Sequence, residues 1–236
     1  MKEIRDLKST QILIFPIDEI GFSSLQRPDA IKQLQDKYRL KYNPPMIFEG
    51  IPAGSHSLLF TNGEFRYENK SYLIERINIE DRRIIIRMAS HSKIVDIMFD
   101  DLRKLLIELD LRESKPKYEP LVKAEETSCV VKLDFSFTDL LINSPLSDFN
   151  AFLTDKMSSH DFEIEIIPSA IRFKITYSRQ PESFRKHKIS LSEKDFVLEV
   201  RDRTAYEEQL YYTFSPTNSK LHFEFLKELE RRVTQK

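Results

Sequence analysis

Two glutamates at alternating positions, Glu163 and Glu165, come nearest to a catalytic pair in residue type and spacing. On a strand they share one face, where paired carboxylates can bind Mg²⁺ or divide the acid and base roles. A metal-dependent nuclease of the restriction type would place a lysine two residues after the second acid, where this chain has Ile167. Lys174 on a partner strand is the spatial substitute. The simpler interpretation is cross-strand ion pairing of the glutamates with Arg172 and Lys174.

The histidines and the single cysteine form no metal-binding or nucleophilic motif. No two histidines have the His-x-x-x-His spacing that puts both imidazoles on one helical face, and His160-Asp161 is an isolated dipeptide. Cys129 excludes an intramolecular disulfide and disfavours a thiolate zinc site. Because nothing in the sequence places an imidazole beside Cys129, we predict a small buried core residue. His222, in the first turn of the last helix, is predicted to be a surface or packing residue.

Glycine usage excludes the common nucleotide-binding motifs. The chain has four glycines, none of them after Gly63. Phosphate-binding loops need glycine so that the backbone can approach the anion closely. A P-loop, a dinucleotide fingerprint and a nucleophile elbow are all missing from the sequence. We therefore expect no nucleotide cofactor, no other cofactor and no metal.

A basic loop at residues 179–188 is the best candidate for anion binding. Phe184 in this loop could stack on a base. A second cationic cluster lies on a hairpin of the first half, and both groups are interleaved with acidic residues. The nucleic-acid-binding candidates are Arg82, Arg83, Arg87, Arg179, Arg185, Lys186 and Lys188. The alternative is that these residues are solvated loop and edge-strand charges.

Aromatic residues crowd two regions, the first hairpins and the segment before the final helix. They cannot all point inward if the strands alternate, and tyrosine is favoured at protein interfaces. The interface candidates are Tyr206, Tyr211, Tyr212 and Phe184. The alternative is a thick aromatic core.

Composition favours a globular, soluble protein. Hydrophobic residues make up 40% and charged residues 32% of 236 residues, and the net charge is −1. This balance gives no global attraction to nucleic acid or to anionic membranes, although a local basic patch stays open. No stretch approaches the ~20 apolar residues that span a bilayer, and the first residues lack a signal-peptide core. We expect a cytoplasmic location and no membrane association.

Apolar periodicity and turn residues predict an α+β fold of two similar halves, each β-α-β-β-β-β-α, with antiparallel sheet and helices on one face. The N-terminal half, residues 1–113, has a strand at Thr10–Ile17, a helix from Pro28 to Tyr38, a hairpin turning at Asn62-Gly63, a hairpin Tyr72–Ile79/Arg83–Ala89 and a helix ending at Leu109. Residues 114–127 are predicted to connect the halves.

The C-terminal half, residues 128–236, repeats that order. Its predicted elements are Ser128–Phe137, the helix Pro145–Met157, the hairpins Phe162–Ile167/Ile171–Tyr177 and His187–Ser192/Phe196–Arg201, the strand Gln209–Phe214 and a closing helix. Ser92-Lys93-Ile94 at the start of one closing helix matches Ser219-Lys220-Leu221 at the start of the other. We interpret the repeated order as an internal duplication.

The order β-α-β-β-β-β-α, present twice, resembles the architecture of the TATA-box-binding protein, also called the helix-grip arrangement. The resemblance spans nearly the whole chain and is topological, with no shared motif. It implies one pseudo-symmetric body with a concave sheet surface. In that family the sheet grips DNA and inserts phenylalanine wedges that kink it. No wedge pair can be placed here, and the face with Glu163 and Glu165 departs from a uniformly cationic saddle.

Three functional hypotheses follow from the sequence. The leading one is a non-catalytic interaction subunit that binds a protein partner or itself. The second is a nucleic-acid-binding protein that uses the sheet and the basic loops. The third is a metal-dependent nuclease using Glu163, Glu165 and Lys174.

Overall fold

A computed structural model describes residues 1–44, 57–140, 145–157, 168–176, 182–187, 189 and 192–235. Within these ranges the chain forms one antiparallel sheet of nine strands with helices packed against it. The predicted α+β class is therefore confirmed. In the described part of the chain, no helix combines the length and the apolarity that crossing a bilayer requires.

The elements follow the apolar periodicity closely. The strands are β1 Glu3–Ile14, β2 Lys41–Asn43, β3 Ser57–Tyr67, β4 Lys70–Glu80, β5 Arg83–Met88, β6 Val122–Lys132, β7 Ala170–Ile175, β8 Lys194–Val200 and β9 Leu210–Ser215. The helices are α1 Phe22–Leu25, α2 Pro28–Tyr38, α3 Ser92–Leu109, α4 Pro145–Met157, α5 Glu182–Lys186 and α6 Ser219–Thr234. Pro28 opens α2 because its fixed φ suits the first helical position, where no amide donor is needed.

The sheet is organised around the pairing of β1 with β6, which we call the seam. The strand order is β2-β3-β4-β5-β1-β6-β9-β8-β7. Each half thus places its first strand at the seam and its last strand beside the first. The antiparallel register runs from the pair Ile14–Val122 to the pair Glu3–Lys132, with a bulge between Arg5 and Lys8. The two halves share one continuous sheet.

Amphipathic helices bury their apolar stripes on one face of this sheet. In α3 the side chains of Met98, Leu102 and Leu106, which share one side of the helix, are each fully buried. Burial of each such side chain contributes on the order of 1.5–3 kcal/mol. The larger core lies in the N-terminal half, between α2, α3 and strands β1 to β5. A smaller core in the C-terminal half includes Leu198 and Leu226.

The helices α3 and α6 meet at their N-termini. The backbone N–H of Ser92 donates to Ser219 Oγ at 3.2 Å, and the backbone N–H of Ser219 donates to Ser92 Oγ at 3.2 Å. The two hydroxyl oxygens are 3.0 Å apart. The hydroxyl of each serine therefore accepts a hydrogen bond from the first backbone N–H of the other helix, a group that has no partner within that helix. The matched tripeptides of the sequence meet here in a reciprocal contact, while duplication itself stays a prediction.

The predicted turn at Asn62-Gly63 is wrong. β3 continues through it, and the hairpin turns instead at Glu68 and Asn69, which have φ of 48° and 61°. Asn62 does take a positive φ, of 55°, but within the strand. Glycine is needed at position 63 because an added Cβ would lie 2.8 Å from the backbone carbonyl oxygen of Tyr38, as well as 2.4 Å from Leu40 Cδ2. The Asn-Gly pair thus correctly indicated a residue with positive φ, but this residue lies within a distorted strand and not at a turn.

Other predicted elements also differ from the observed ones. β1 begins at Glu3 and ends at Ile14. The connecting segment predicted at 114–127 is shorter, because residues 122–127 form the start of β6 and pair with β1. Charged residues there suggested a loop, but Lys123 pairs with Asp96 of α3. Of the strand predicted at His187–Ser192, the described residues His187, Ile189 and Ser192 are not in a strand.

The remaining connecting residues are anchored to the N-terminal half. Asp110, fully buried, accepts hydrogen bonds from the Arg112 guanidinium at 2.7 Å and from Tyr118 Oη at 3.1 Å. Arg112 also donates to the backbone carbonyl of Glu19 at 2.8 Å. The chain therefore leaves α3 along a fixed path before it enters β6.

We predict that Ser92→Ala and Ser219→Ala each lower the unfolding free energy by about 1 kcal/mol, because each removes the hydroxyl that accepts a hydrogen bond from the first backbone N–H of the other helix. The double variant should lose less than the sum, by about 0.5 kcal/mol or more, since both hydroxyls belong to one contact. Urea denaturation of the four proteins measures this coupling. Ser23→Ala, on exposed α1, is the control and should change little. Strictly additive losses would contradict the reciprocal contact.

Candidate functional site

Alternation along the strands gives the sheet two distinct faces. Ile84, Ile86 and Met88 of β5 are fully buried on the side of α3, whereas Arg83 and Arg87 are exposed on the other side. We call the surface opposite α2, α3 and α6 the second face. Two of the predicted nucleic-acid-binding residues therefore lie together on it.

The cations of the second face are mostly paired with carboxylates. Arg83 lies 2.7 Å from Glu80. Arg87 and Lys8 share Glu75, at 2.9 Å and 2.6 Å. Glu75 reaches both because it sits at a bulge in β4, where the register with β5 shifts. A ligand anion would have to compete with these carboxylates.

Arg76 is a second-face cation that sequence reasoning missed. It is exposed and pairs across the ladder with Arg87, yet it forms no ion pair with any described residue. The alternation of buried and exposed residues in β4 places Arg76 on the second face. The bulge at Glu75, however, changes which residues of β4 share a face with it. A strict period of two therefore assigns the residues before the bulge to the wrong side.

The two predicted basic groups are joined in space. Arg82 Nη2 donates to the backbone carbonyl of His187 at 3.3 Å, which ties the β4–β5 hairpin to the end of the basic loop. Phe184 is partly buried and Lys186 is exposed. Arg179, Lys188 and the side chain of Arg185 lie outside the described residues. The loop is helical at α5, where the sequence had predicted an irregular segment.

The predicted interface tyrosines separate into different environments. Tyr211 is buried, with its hydroxyl donating to the Phe135 carbonyl at 2.8 Å, so its assignment as an interface residue is wrong. The alternation of β9 explains this, because Tyr211 points to the core and Tyr212 to the second face. Tyr212 is exposed and Tyr206 is half-buried.

The structure describes only some of the residues in the catalytic carboxylate hypothesis. Glu163 and Glu165 lie outside the described residues. Lys174 is exposed and its Nζ lies 3.0 Å from Glu193 Oε2. Arg172 Nε lies 4.0 Å from Asp195 Oδ2. Across the described ranges, no group of three or more histidine, cysteine, aspartate or glutamate side chains could hold a metal ion.

Cys129 has an imidazole neighbour that the sequence did not reveal. His222 of α6 is fully buried, and its Nε2 lies 3.9 Å from Cys129 Sγ and 3.3 Å from Thr213 Oγ1. Thr213 Oγ1 donates its only proton to the Val197 carbonyl at 3.0 Å. The Nε2–H of His222 must therefore be the donor toward Thr213, which leaves Nδ1 as a buried acceptor without a partner among the described residues.

This pair is not an activated nucleophile. Burial raises the pKa of the Cys129 thiol to about 12 and lowers the pKa of His222 to about 4. Both groups are neutral at pH 7, and the Nε2 atom facing Cys129 carries a proton instead of a free lone pair. The prediction that Cys129 is a buried core residue is confirmed, and the packing interpretation of His222 is confirmed with it.

Exposed aromatic side chains are concentrated in the C-terminal half. Every exposed phenylalanine and tyrosine of the described residues lies there: Phe149, Phe152, Phe173, Tyr212 and Phe225. Phe173 is 58% exposed and Phe225 42%, and both pack against Phe196, with ring centroids 6.2 and 6.5 Å apart. We call these three residues the aromatic patch. It lies where β7, β8 and α6 meet.

No protein-family model matches the chain, and no curated protein matches it. The resemblance to the TATA-box-binding protein therefore stays a prediction from the order of elements.

The buried histidine predicts a pH dependence. In the unfolded chain His222 takes up a proton near pH 6.5, whereas in the folded chain it does so only near pH 4. The contribution of the buried, neutral imidazole to the unfolding free energy is complete above pH 6.5. It is lost as the pH falls toward 4, by about 2 kcal/mol between pH 7 and 5. His222→Leu should abolish that part of the loss.

Urea denaturation at both pH values measures the effect. His91→Gln is the matched control, because His91 is exposed at the start of α3, and this variant should keep the wild-type pH dependence. If His222→Leu and the wild type lose equal stability on acidification, the imidazole is not held neutral by burial.

Proposed function

We propose that this protein is a non-catalytic interaction subunit that binds a protein partner through its C-terminal half. The observation that carries the proposal is the aromatic patch, where two largely exposed phenylalanines frame a third that is only 8% exposed. Exposed aromatic clusters on folded proteins are typical of binding hot spots. We place this function in the cytoplasm, as composition suggests.

The size of the patch favours a separate partner over a permanent dimer. A phenylalanine side chain offers about 150–250 Å², so the exposed parts of Phe173 and Phe225 supply roughly 200 Å². A stable interface needs about 800 Å² from each partner. The patch is large enough to anchor one or two apolar side chains of another protein, with polar contacts around them.

The N-terminal half indicates what kind of segment fits. There, α2 packs against β3, with the Tyr38 and Phe65 ring centroids 6.5 Å apart and Leu34 in the same buried cluster as Phe60. From the seam outward, β7 holds the position in its half that β3 holds in the other. An amphipathic helix is therefore the partner segment that we expect on the aromatic patch.

We predict that Phe173→Ser and Phe225→Ser each abolish or strongly weaken capture of the partner, because a central aromatic anchor contributes 2 kcal/mol or more, or at least about thirtyfold in affinity. Co-purification of the tagged full chain from its native cells, with quantitative mass spectrometry, measures this. Leu73→Ser is the matched control, since Leu73 is 51% exposed on a strand of the other half.

Sedimentation velocity of the purified chain separates self-association from hetero-association. The proposal requires a partner whose recovery falls with both phenylalanine variants and is unchanged with Leu73→Ser. Equal recovery with all variants, or a patch-dependent dimer without any other protein, would contradict it.

A second candidate function is nucleic-acid binding by the second face. What favours it is the contact of Arg82 with His187, which brings the two basic groups into one region, together with the unpaired guanidinium of Arg76. What opposes it is the pairing of Arg83, Arg87 and Lys8 with carboxylates. The net field of this surface is accordingly weak.

This candidate predicts a steep salt dependence. If the second face binds phosphates, Arg76→Ala and Lys186→Ala should each reduce the slope of log K against log[salt] by about 1. Fluorescence anisotropy with labelled single-stranded RNA and duplex DNA between 50 and 300 mM salt (roughly the useful range) gives the slopes. Lys32→Ala, on the exposed side of α2, should leave them unchanged. No binding at the lowest salt excludes the candidate.

A further inference from the structure

A cavity of 490 Å³ opens on the second face across the seam. Its walls come from both halves, with Lys8 and Arg87 on one side and Glu199 and Tyr212 on the other. It is distinct from the aromatic patch, which lies on the helix side of the sheet. A volume of this size suits a small ligand, for which sites of roughly 300–1,000 Å³ are usual.

The side of the cavity in the N-terminal half has a net positive charge. Lys8 and Arg87 share the single carboxylate of Glu75, so two cations have one anion between them. Their remaining N–H donors are available to a second carboxylate. A carboxylate arriving here would complete the charge balance that Glu75 alone leaves incomplete.

The opposite side, in the C-terminal half, has a net negative charge. Glu199 and Asp202 line it, and neither carboxylate has a hydrogen bond or ion pair with any described residue. Arg201 lies 3.6 Å from Asp6, so these two neutralise each other. Tyr212 is the direct cross-strand neighbour of Glu199. A carboxylate beside an exposed aromatic ring is a favourable site for an ammonium group.

The floor between the two sides contains a polar group without a partner. Ser128 is only 9% exposed and lines the cavity, and its hydroxyl forms no hydrogen bond with any described residue. Val130 beside it is 5% exposed. Because Ser128 lines the cavity, its hydroxyl can donate a hydrogen bond to a ligand or accept one. An amide group of a ligand supplies either partner.

We propose that this cavity binds a short peptide with free termini, two or three residues long, in extended form. Its carboxylate pairs with Lys8 and Arg87, its ammonium group with Glu199 and Asp202, and a central amide with Ser128. Three strand spacings separate β1 from β8, about 14 Å between backbones. The termini of an extended tripeptide lie about 10 Å apart, which leaves room for the reach of the side chains.

Trialanine is the probe, titrated into the full chain by calorimetry. N-acetyl-trialanine lacks the ammonium group, and trialanine amide lacks the carboxylate. We expect each modification to weaken binding about tenfold, as loss of a charge-assisted hydrogen bond does. Glu199→Gln should weaken binding of trialanine equally and leave the affinity for N-acetyl-trialanine unchanged. Arg87→Gln should behave in the same way toward the amide.

Two variants on the same strands serve as matched controls. Asp195→Asn lies on β8 outside the cavity, and Arg83→Gln lies on β5 outside it. Neither should alter binding, and circular dichroism verifies that all variants are folded. The proposal is overturned if trialanine does not bind at millimolar concentration, if blocking either terminus has no effect, or if the controls weaken binding as much as Glu199→Gln. None of these outcomes bears on the aromatic patch.

Discussion

The antiparallel pairing of β1 with β6 is the interaction on which the rest of the structure depends. It joins two sets of strands that each fold back toward their own first strand, and so turns two small sheets into one. It also brings the N-termini of α3 and α6 together, although the positive ends of two helix dipoles repel each other. The hydroxyls of Ser92 and Ser219 offset this by placing acceptor oxygens between the helices. The seam is thus stabilised both within the sheet and above it.

A consequence is that the second face gains surfaces that neither half contains alone. The cavity needs Lys8 and Arg87 from one side of the seam and Glu199 and Tyr212 from the other. The contact between Arg82 and the His187 carbonyl also joins residues of both halves, at the β4–β5 turn. Loosening the seam would therefore disturb this cavity directly, because its lining residues lie on both sides of the seam. The aromatic patch lies within one half and would be less sensitive.

Sequence patterns predicted the elements whose signals are local. The bounds of α2, the buried face of β5 and the stripe of α3 depend on apolar spacing, which the sequence displays directly. The turn predicted at Asn62-Gly63 was wrong because a positive φ is compatible with a turn or with a distorted strand, and the pairing of β3 with β4 continues past this point to the turn at Glu68 and Asn69. The start of β6 was predicted to be a connecting segment because it is rich in charged residues. In the structure these charges have partners on α3 and β8, including Lys194 with Glu126. Contacts with other elements decided both cases.

In the candidate sites, too, the contacts that depend on distant residues could not be predicted from local patterns. The sites also differ between the two halves. Cys129 and His222 are 93 positions apart, so no local pattern could pair them, and the hydrogen bonds of Thr213 make the pair inert. The N-terminal half uses α2 to close its sheet and has the larger core. The C-terminal half leaves Phe173 and Phe225 exposed at the corresponding place. With the same strand order from the seam outward, one half has the apolar surface covered and the other presents it. That difference is why the proposed partner site is placed on the C-terminal half.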